Sequence, residues 1–331
     1  MEKTSRREFI AAAAAGLGGL AVLGGAETGR PPQALPRRAL GRTGVEVTVL
    51  GLGTGPMGHR NGNNPDLPTL VEAFGEAIDR GITYVDTARN YGPSEVALGE
   101  VLRTRRDKVF LAAKVMADTF DEARARFAET MGRLRVERLD LLHLHSVGER
   151  DVDAVLRPKD GAWAFLRKLK EEGRTRFLGL TAHSRPEKVA RMIRETGDVD
   201  AIMVALNFVD RHVYGFEEKV LPLAREKGIG VMAMKVFGGV RASGLAGFAN
   251  YGAPTPQPAQ MPAGLQLDAM RYILSLEGVA GMVIGPGSAA EVRENIERIR
   301  AARPLAPADL AALVEKGKAL APAWGPRWGP A

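Results

Sequence analysis

The sequence predicts an α/β fold, a parallel (β/α)8 TIM barrel with an N-terminal β-hairpin cap, on three observations. After residue 40, short β-branched runs alternate eight times with amphipathic helical stretches. The ends of these runs recur at a near-constant interval: Asp86 to Lys114 is 28 residues, Lys114 to His145 is 31, and Asn207 to Lys235 is 28. A closed parallel barrel requires one strand–helix unit every ~30 residues. Nor does any G-x-G-x-x-G turn follow the first strand, as an open dinucleotide-binding sheet would have it, because Pro56 holds the third glycine's place in GLGTGP.

The first 26 residues differ from the rest. Arg6, Arg7 and Phe9 precede an Ala/Gly/Leu run that ends in small residues, the order of a secretory signal. Paired arginines make it resemble the twin-arginine type, which exports folded proteins. The expectation is therefore a leader at 1–26 read by the twin-arginine export machinery, a linker at 27–36, and a barrel with a helical tail at 37–331. The mature chain would be periplasmic or extracellular, without stable membrane insertion.

Removing the leader leaves 43 basic against 37 acidic residues, about +6. The two signs are interspersed, as on a solvated surface, which argues against a nucleic-acid partner. The absence of cysteine excludes disulfides, thiol catalysis and Cys-ligated metal, and no metal site is expected.

Residues 36–46 hold a Gly-Arg-Thr-Gly turn and read as a hairpin closing the barrel floor. Strands follow at 47–52, 83–86, 109–114, 140–145, 176–181, 201–207, 230–235 and 281–284. Helices are expected at 68–80, 94–103, 121–136, 160–172, 186–195, 216–227, 267–276 and 289–301, several of them closing before a glycine. The Gly/Pro/Ala-rich stretch 238–264 has no period and reads as a functional loop.

Strands of a parallel barrel are buried on both faces, so charged residues in them call for a reason. Asp86, Lys114 and His145 end three consecutive strands, on the face where barrels build active sites. Tyr91 follows five residues after Asp86 in the next loop. Singly, each has an ordinary explanation: a helix cap, a snorkelling lysine, a loop aromatic, a satisfied core histidine. Placed together they suit one task. A phenol has a pKa of about 10, and a neighbouring ammonium is expected to lower it. Asp86 can balance Lys114, His145 can orient a carbonyl oxygen, and Tyr91 can give it a proton. No side chain carries a hydride, so an organic cofactor is implied.

With these residues in hand, the chain resembles the aldo/keto reductases across 37–303. The stretch RALGRTGVEVTVLGLGTG is similar to the family's hairpin and first strand. DTARNYGPSE at 86–95 is its most specific signature, and LDLLHLH supplies its histidine. The resemblance implies a catalytic tetrad of Asp86, Tyr91, Lys114 and His145 and a cofactor, NADP or NAD, across the barrel mouth. It places Gly53, Thr54 and Asp86 near the nicotinamide, with Thr181 where the family uses Ser for the carboxamide. Ala182, Met203 and Met234 replace the usual Asn, Gln and aromatic ring, and Asn207, Lys235 and His183 are polar residues that could compensate. Phe237 and Gly238 join the cofactor set. At the adenosine end, VIGPGSAAEVREN offers Gly285, Gly287, Ser288, Glu294 and Asn295. The family's frequent phosphate-reading Arg is Glu291 here, with Arg293 as a substitute, so NAD and NADP both stay open. Substrate recognition is expected from 55–66 with His59, 146–159, 238–264, and the tail with Trp324 and Trp328.

The implied activity is hydride transfer between the nicotinamide and a small-molecule carbonyl or alcohol: an aldehyde, ketone or sugar. Two alternatives stand beside it. One is an epimerase- or dismutase-like enzyme with a tightly held, internally recycled cofactor. The other is a non-catalytic cofactor-binding sensor subunit. A carboxylate-based hydrolase needs two facing acids, and Asp86 has no evident acidic partner.

Overall fold

The computed structural model describes residues 34–58, 66–238, 261–262, 264–326 and 329. The chain divides into a unit of 1–34 and a unit of 35–331. The leader, all of the linker but its last three residues, His59, most of the 238–264 loop and Trp328 lie outside the described residues. No described helix is long and apolar enough to cross a membrane.

Strands β1 (Arg37–Ala39) and β2 (Glu46–Thr48) form the antiparallel hairpin, with Arg38 opposite Val47. Its turn passes through Gly41 at φ 51°, where a Cβ would lie 2.2 Å from the backbone nitrogen of Gly230. Only glycine fits that close approach. Leu40, fully buried, plugs the floor beside Val47.

The barrel strands are β3 (Leu50–Gly53), β4 (Tyr84–Asp86), β5 (Phe110–Val115), β6 (Leu139–Leu144), β7 (Thr175–Ala182), β8 (Ala201–Ala205), β9 (Gly230–Met234) and β10 (Val279–Ile284). They close in sequence order, β10 pairing β3, and every neighbour is parallel. The strand expected over 47–52 is two. Thr48 ends the hairpin, Leu50 begins the barrel, and the Val49 N–H between them donates to Pro36 at 2.9 Å. The helix expected over 216–227 is likewise broken into Phe216–Lys219 and Leu221–Glu226. Pro222 causes the break, because a residue without an N–H suits the first turn of a helix and not its interior.

Side chains alternate across each strand with period two, and this alternation sorts the core. Tyr84, Phe110, Ala112, Leu141 and Met203 share the inner cluster, whereas Val85, Leu111 and Leu142 pack in the larger one with the surrounding helices. Tyr84 stacks on Phe110 at 5.6 Å and Phe110 on Phe177 at 6.1 Å, forming an aromatic floor inside the barrel. Two residues beyond Tyr84, Ala112 and His143 stand Asp86, Lys114 and His145. The same period that fills the core therefore turns these polar groups toward its open end.

The last helix, Pro307–Trp324, lies against the loop after β8. At Gly317 a Cβ would stand 1.9 Å from the Phe208 carbonyl oxygen. Trp324, 4 % exposed, donates its indole N–H to Asp210 at 2.7 Å.

Candidate active site

Asp86 and Lys114 are almost wholly buried, and the Lys114 ammonium donates to Asp86 Oδ1 at 2.5 Å and to the Thr87 carbonyl at 3.0 Å. The same Nζ lies 4.7 Å from the centre of the Tyr91 ring. Tyr91 in turn meets His145 edge-to-face, with centroids 6.2 Å apart. The structure thus brings together all four side chains of the expected tetrad.

Glycines seat Tyr91. A Cβ on Gly55 would touch its ring at 3.4 Å, and one on Gly58 would fall 2.0 Å from its carbonyl oxygen. Gly92 has φ 55° and approaches the Gly58 carbonyl from the other side. Behind this clasp, Ser94 donates to the Thr54 carbonyl at 2.8 Å, and the Thr54 and Thr87 hydroxyls bond at 2.9 Å. The loops after β3 and β4 are thereby tied to the residue whose carbonyl holds Lys114.

Burial drives both members of the buried ion pair toward neutrality, the Asp86 carboxyl upward and the Lys114 ammonium downward, while their mutual attraction opposes the change. Burial, and next the charge on Asp86, push the Tyr91 phenol well above its ordinary value. That direction is opposite to the acidification expected from Lys114. His145 and His183 are held neutral, first by burial and then by lysine cations, Lys114 acting on both and Lys235 on His183.

The proposed cofactor residues divide into two groups. Gly53 pairs with Asp86 in register. The Thr181 hydroxyl accepts the Ser146 N–H at 2.9 Å and keeps its own proton to donate. Met203 and Met234 belong to the buried inner cluster. Asn207, expected among the cofactor residues, has its side-chain amide bonded mainly within its own loop. Its Nδ2 donates to Asp210 at 2.6 Å and to the Lys235 carbonyl at 3.0 Å, while Oδ1 accepts from Val209 and Asp210. A side-chain amide so occupied organises its own loop. The Gly238 N–H donates to the Lys235 carbonyl at 2.7 Å, and the Phe237 carbonyl accepts from Met261.

At the adenosine end, the Gly287 N–H donates to Glu291 Oε2 at 2.7 Å, and the Glu291 N–H donates to Ser288 Oγ at 3.2 Å. A reciprocal cap of this kind uses the donors that a helix start otherwise offers to anions. Gly285 allows Pro56 to pack against it, since a Cβ there would fall 2.2 Å from the proline ring. Arg293, the expected substitute for the phosphate-reading arginine, is bound to Glu76 at 2.7 Å. Glu294 pairs with Arg298, which also donates to Asn295 at 3.2 Å.

Several polar residues near the mouth carried little individual signal. Glu95 is fully buried with Arg133 at 3.8 Å, and it closes the same 86–95 motif. Ser146, directly after His145, is buried at φ 56°. Asp210 had no sequence mark beyond its place in a loop after a strand.

The sequence profile described as "Aldo/keto reductase family" matches residues 49–262. The chain belongs to the aldo/keto reductase family. Among curated proteins it is similar to L-galactose dehydrogenase of Arabidopsis thaliana, 27 % identical over 79 % of this chain and 87 % of that one. It is also similar to pyridoxal 4-dehydrogenase of Microbacterium luteolum, 26 % identical over 80 % of this chain and 93 % of that one. An aldo/keto reductase from Klebsiella pneumoniae, solved in complex with NADP and acetate, shares the fold at a TM-score of 0.65. The identity is 21 %, over 90 % of this chain and 97 % of that one. The profile spans Asp86, Tyr91, Lys114 and His145 and ends before β10.

Proposed function

We propose that this aldo/keto reductase transfers hydride between NAD(P) and a small carbonyl or alcohol at the open end of the barrel, with Tyr91 as the proton donor and acceptor. The carrying observation is the contact chain Asp86–Lys114–Tyr91–His145 around one mouth, with separations of 2.5, 4.7 and 6.2 Å. The family's cofactor suits this pocket. Asp86 Oδ2 is buried without a hydrogen-bond partner among the described residues, and a polar ligand would satisfy it. Thr181 adds a hydroxyl donor.

NAD(P)H, when bound, supplies the hydride. A neutral His145 donates one ring N–H to the substrate oxygen, polarising the carbonyl and fixing its orientation. Tyr91, its pKa raised by burial, enters the reduction protonated. As the substrate oxygen gains alkoxide character it becomes more basic than a phenolate, so the proton moves from Tyr91 Oη to that oxygen. Lys114 stabilises the phenolate left behind, and Asp86 keeps the ammonium charged inside the barrel. In the oxidative direction, which the names of the two curated relatives suggest, the proton returns to Tyr91.

The reading extends to cofactor choice and location. Glu291 places a carboxylate where a 2′-phosphate would require a cation, and Arg293 is held by Glu76, which together favour NAD. Export through the twin-arginine leader belongs to the same proposal and rests on the sequence of residues 1–26. The deciding experiment replaces Tyr91 with Phe and follows nicotinamide absorbance with a panel of sugars and aldehydes. Unchanged turnover would end the proposal.

A further inference from the structure

Lys114 and Tyr91 meet from different parts of the chain, one near the end of β5 and the other in the loop after β4. Glycine contacts hold that loop from Gly58. A second set comes from the helix Phe120–Leu134, which follows β5. Glu129 accepts from Arg89 Nη1 at 2.9 Å, and Arg133 Nη1 donates to the Arg89 carbonyl at 2.9 Å. The same Arg133 nitrogen lies 3.8 Å from Glu95 Oε2. Residues 89 and 95 stand two before and four after Tyr91. One guanidinium therefore grips the Tyr91 segment at both ends.

The partners at those ends decide what the grip fixes. At Arg89 the contact is a backbone carbonyl, so it locates main chain directly. Glu95 is fully buried in the first turn of the helix Ser94–Arg105, and a buried carboxylate needs a cation beside it. Gly99, one turn further along, brings the two helices together: a Cβ there would lie 2.4 Å from the Arg133 carbonyl oxygen. Arg133 is thus seated against one helix by its backbone while its side chain reaches the loop before that helix. Between the two ends the Tyr91 N–H donates to the Ala88 carbonyl at 3.0 Å, and the Ser94 N–H to the Tyr91 carbonyl at 3.1 Å. The segment is a run of tight turns, and its place depends on its anchors.

Both partners of the Lys114–Tyr91 contact lead back to one strand–helix unit. β5 carries Lys114, and the helix after it carries Glu129 and Arg133. The unit that supplies the ammonium also locates the ring 4.7 Å from it. Arg89 and Glu129 are both substantially exposed, and exposed pairs hold weakly. The bond to main chain and the buried carboxylate make Arg133 the stronger anchor.

We propose that Arg133 is a positioning residue for Tyr91, holding the phenol in register with Lys114 by acting through the loop and not on the reacting atoms. The inference rests on the reductase reading above, in which Tyr91 transfers the proton.

The test uses the full chain with Arg133→Met and Arg133→Lys, each alone and combined with Tyr91→Phe. Hydrogen exchange followed by mass spectrometry reads the amides of 86–95 without turnover. NADH oxidation with DL-glyceraldehyde reads kcat and KM, and fluorescence titration reads NADH binding. For Arg133→Met we expect faster exchange confined to 86–95, unchanged NADH affinity, and a kcat lower by about tenfold or more, since a misplacement of ~1 Å can cost ~10²-fold. Arg133→Lys should recover most of the kcat, because one nitrogen makes both contacts and a point charge can reproduce them. In the Tyr91→Phe background Arg133→Met should lower kcat no further. Should Arg133→Met fail to fold, its combination with Glu95→Gln leaves no carboxylate buried there and carries the same comparison. The same fractional loss in the Tyr91→Phe background would make the role merely structural and overturn the proposal. So would a folded Arg133→Met protein with wild-type kcat and wild-type exchange at 86–95. Wild-type protein that reduces no carbonyl would instead sink the reductase reading, while the exchange comparison still decides whether Arg133 holds the Tyr91 loop.

Discussion

Glu291 Oε2 accepts the Gly287 backbone N–H at 2.7 Å, so the turn leading into the helix Ala289–Ala301 is closed by a carboxylate of its own. A second negative group brought to that turn must displace or face it. On the proposed reading, NADH should therefore exceed NADPH in kcat/KM. Replacing Glu291 with Arg should shift the ratio toward NADPH by about tenfold or more, as removal of like-charge repulsion and gain of a phosphate partner require. Steady-state kinetics with both cofactors check this; an unaltered ratio would remove Glu291 from cofactor choice.

Tyr91→Phe keeps the ring that packs against Gly55 and removes only the acid. Turnover should fall by ~10²–10⁴, the usual contribution of a positioned proton donor, with thermal stability nearly unchanged. Lys114→Met should lose activity to a similar degree but also destabilise the protein, because Asp86 would be left buried with its charge partner gone. Comparing melting temperatures of the two variants separates the roles.

Lys235 gives a pH signature in stability. Burial, and next Lys114, bring its ammonium down to about 8 from an ordinary value of 10.5, against the pull of Asp210 and Asp86. Between those values the unfolded chain binds the proton and the folded one does not, so folding gains stability as pH rises from about 8 to 10.5. Below 8 both states are protonated and the full penalty of burying the cation applies. Relative to Lys235→Met, the wild type should gain in denaturant midpoint across that window and hold a constant difference below it. Parallel curves throughout would refute the assignment.

Trp324→Phe tests how the last helix is fastened. The substitution keeps an aromatic ring but leaves Asp210 Oδ1 without its indole donor in a buried setting, which costs about 1–3 kcal/mol. Chemical denaturation should show that loss in the single variant. In a double-mutant cycle with Asp210→Asn, which also disturbs the Asn207–Asp210 bond, positions 324 and 210 should show a coupling energy clearly above zero.

Export can be measured apart from catalysis. Changing Arg6 and Arg7 together to Lys should retain the protein in the cytoplasm with its leader uncut, as immunoblots of cell fractions would show. Normal periplasmic accumulation would refute the twin-arginine reading.

The barrel was legible because its alternation and spacing recur eight times, and the convergence of the tetrad was legible because a period of two carries Asp86, Lys114 and His145 to one end. What escaped depended on who faces whom. Asn207 looks in sequence like any polar strand-end residue, and only its four bonds reveal a loop organiser. The sign of the shift at Tyr91 depends on desolvation and on the charge of Asp86, both properties of the assembled pocket. Arg293 could stand in for a phosphate-binding arginine until Glu76, 217 residues away in sequence, was seen to hold it. The split at Val220 was missed because the apolar rhythm runs through Pro222, whose missing N–H does not register in a hydrophobic pattern.

The glycine clasp around Tyr91 separates what evolution can revise from what it cannot. Gly58 and Gly92 admit no larger residue without shifting the backbone that carries the phenol, so drift there is closed even though neither needs to meet a ligand. Loops that do not share those backbone contacts carry no such veto. Selection is then free to try new clients by remodelling the rim, while the reactive phenol is inherited intact.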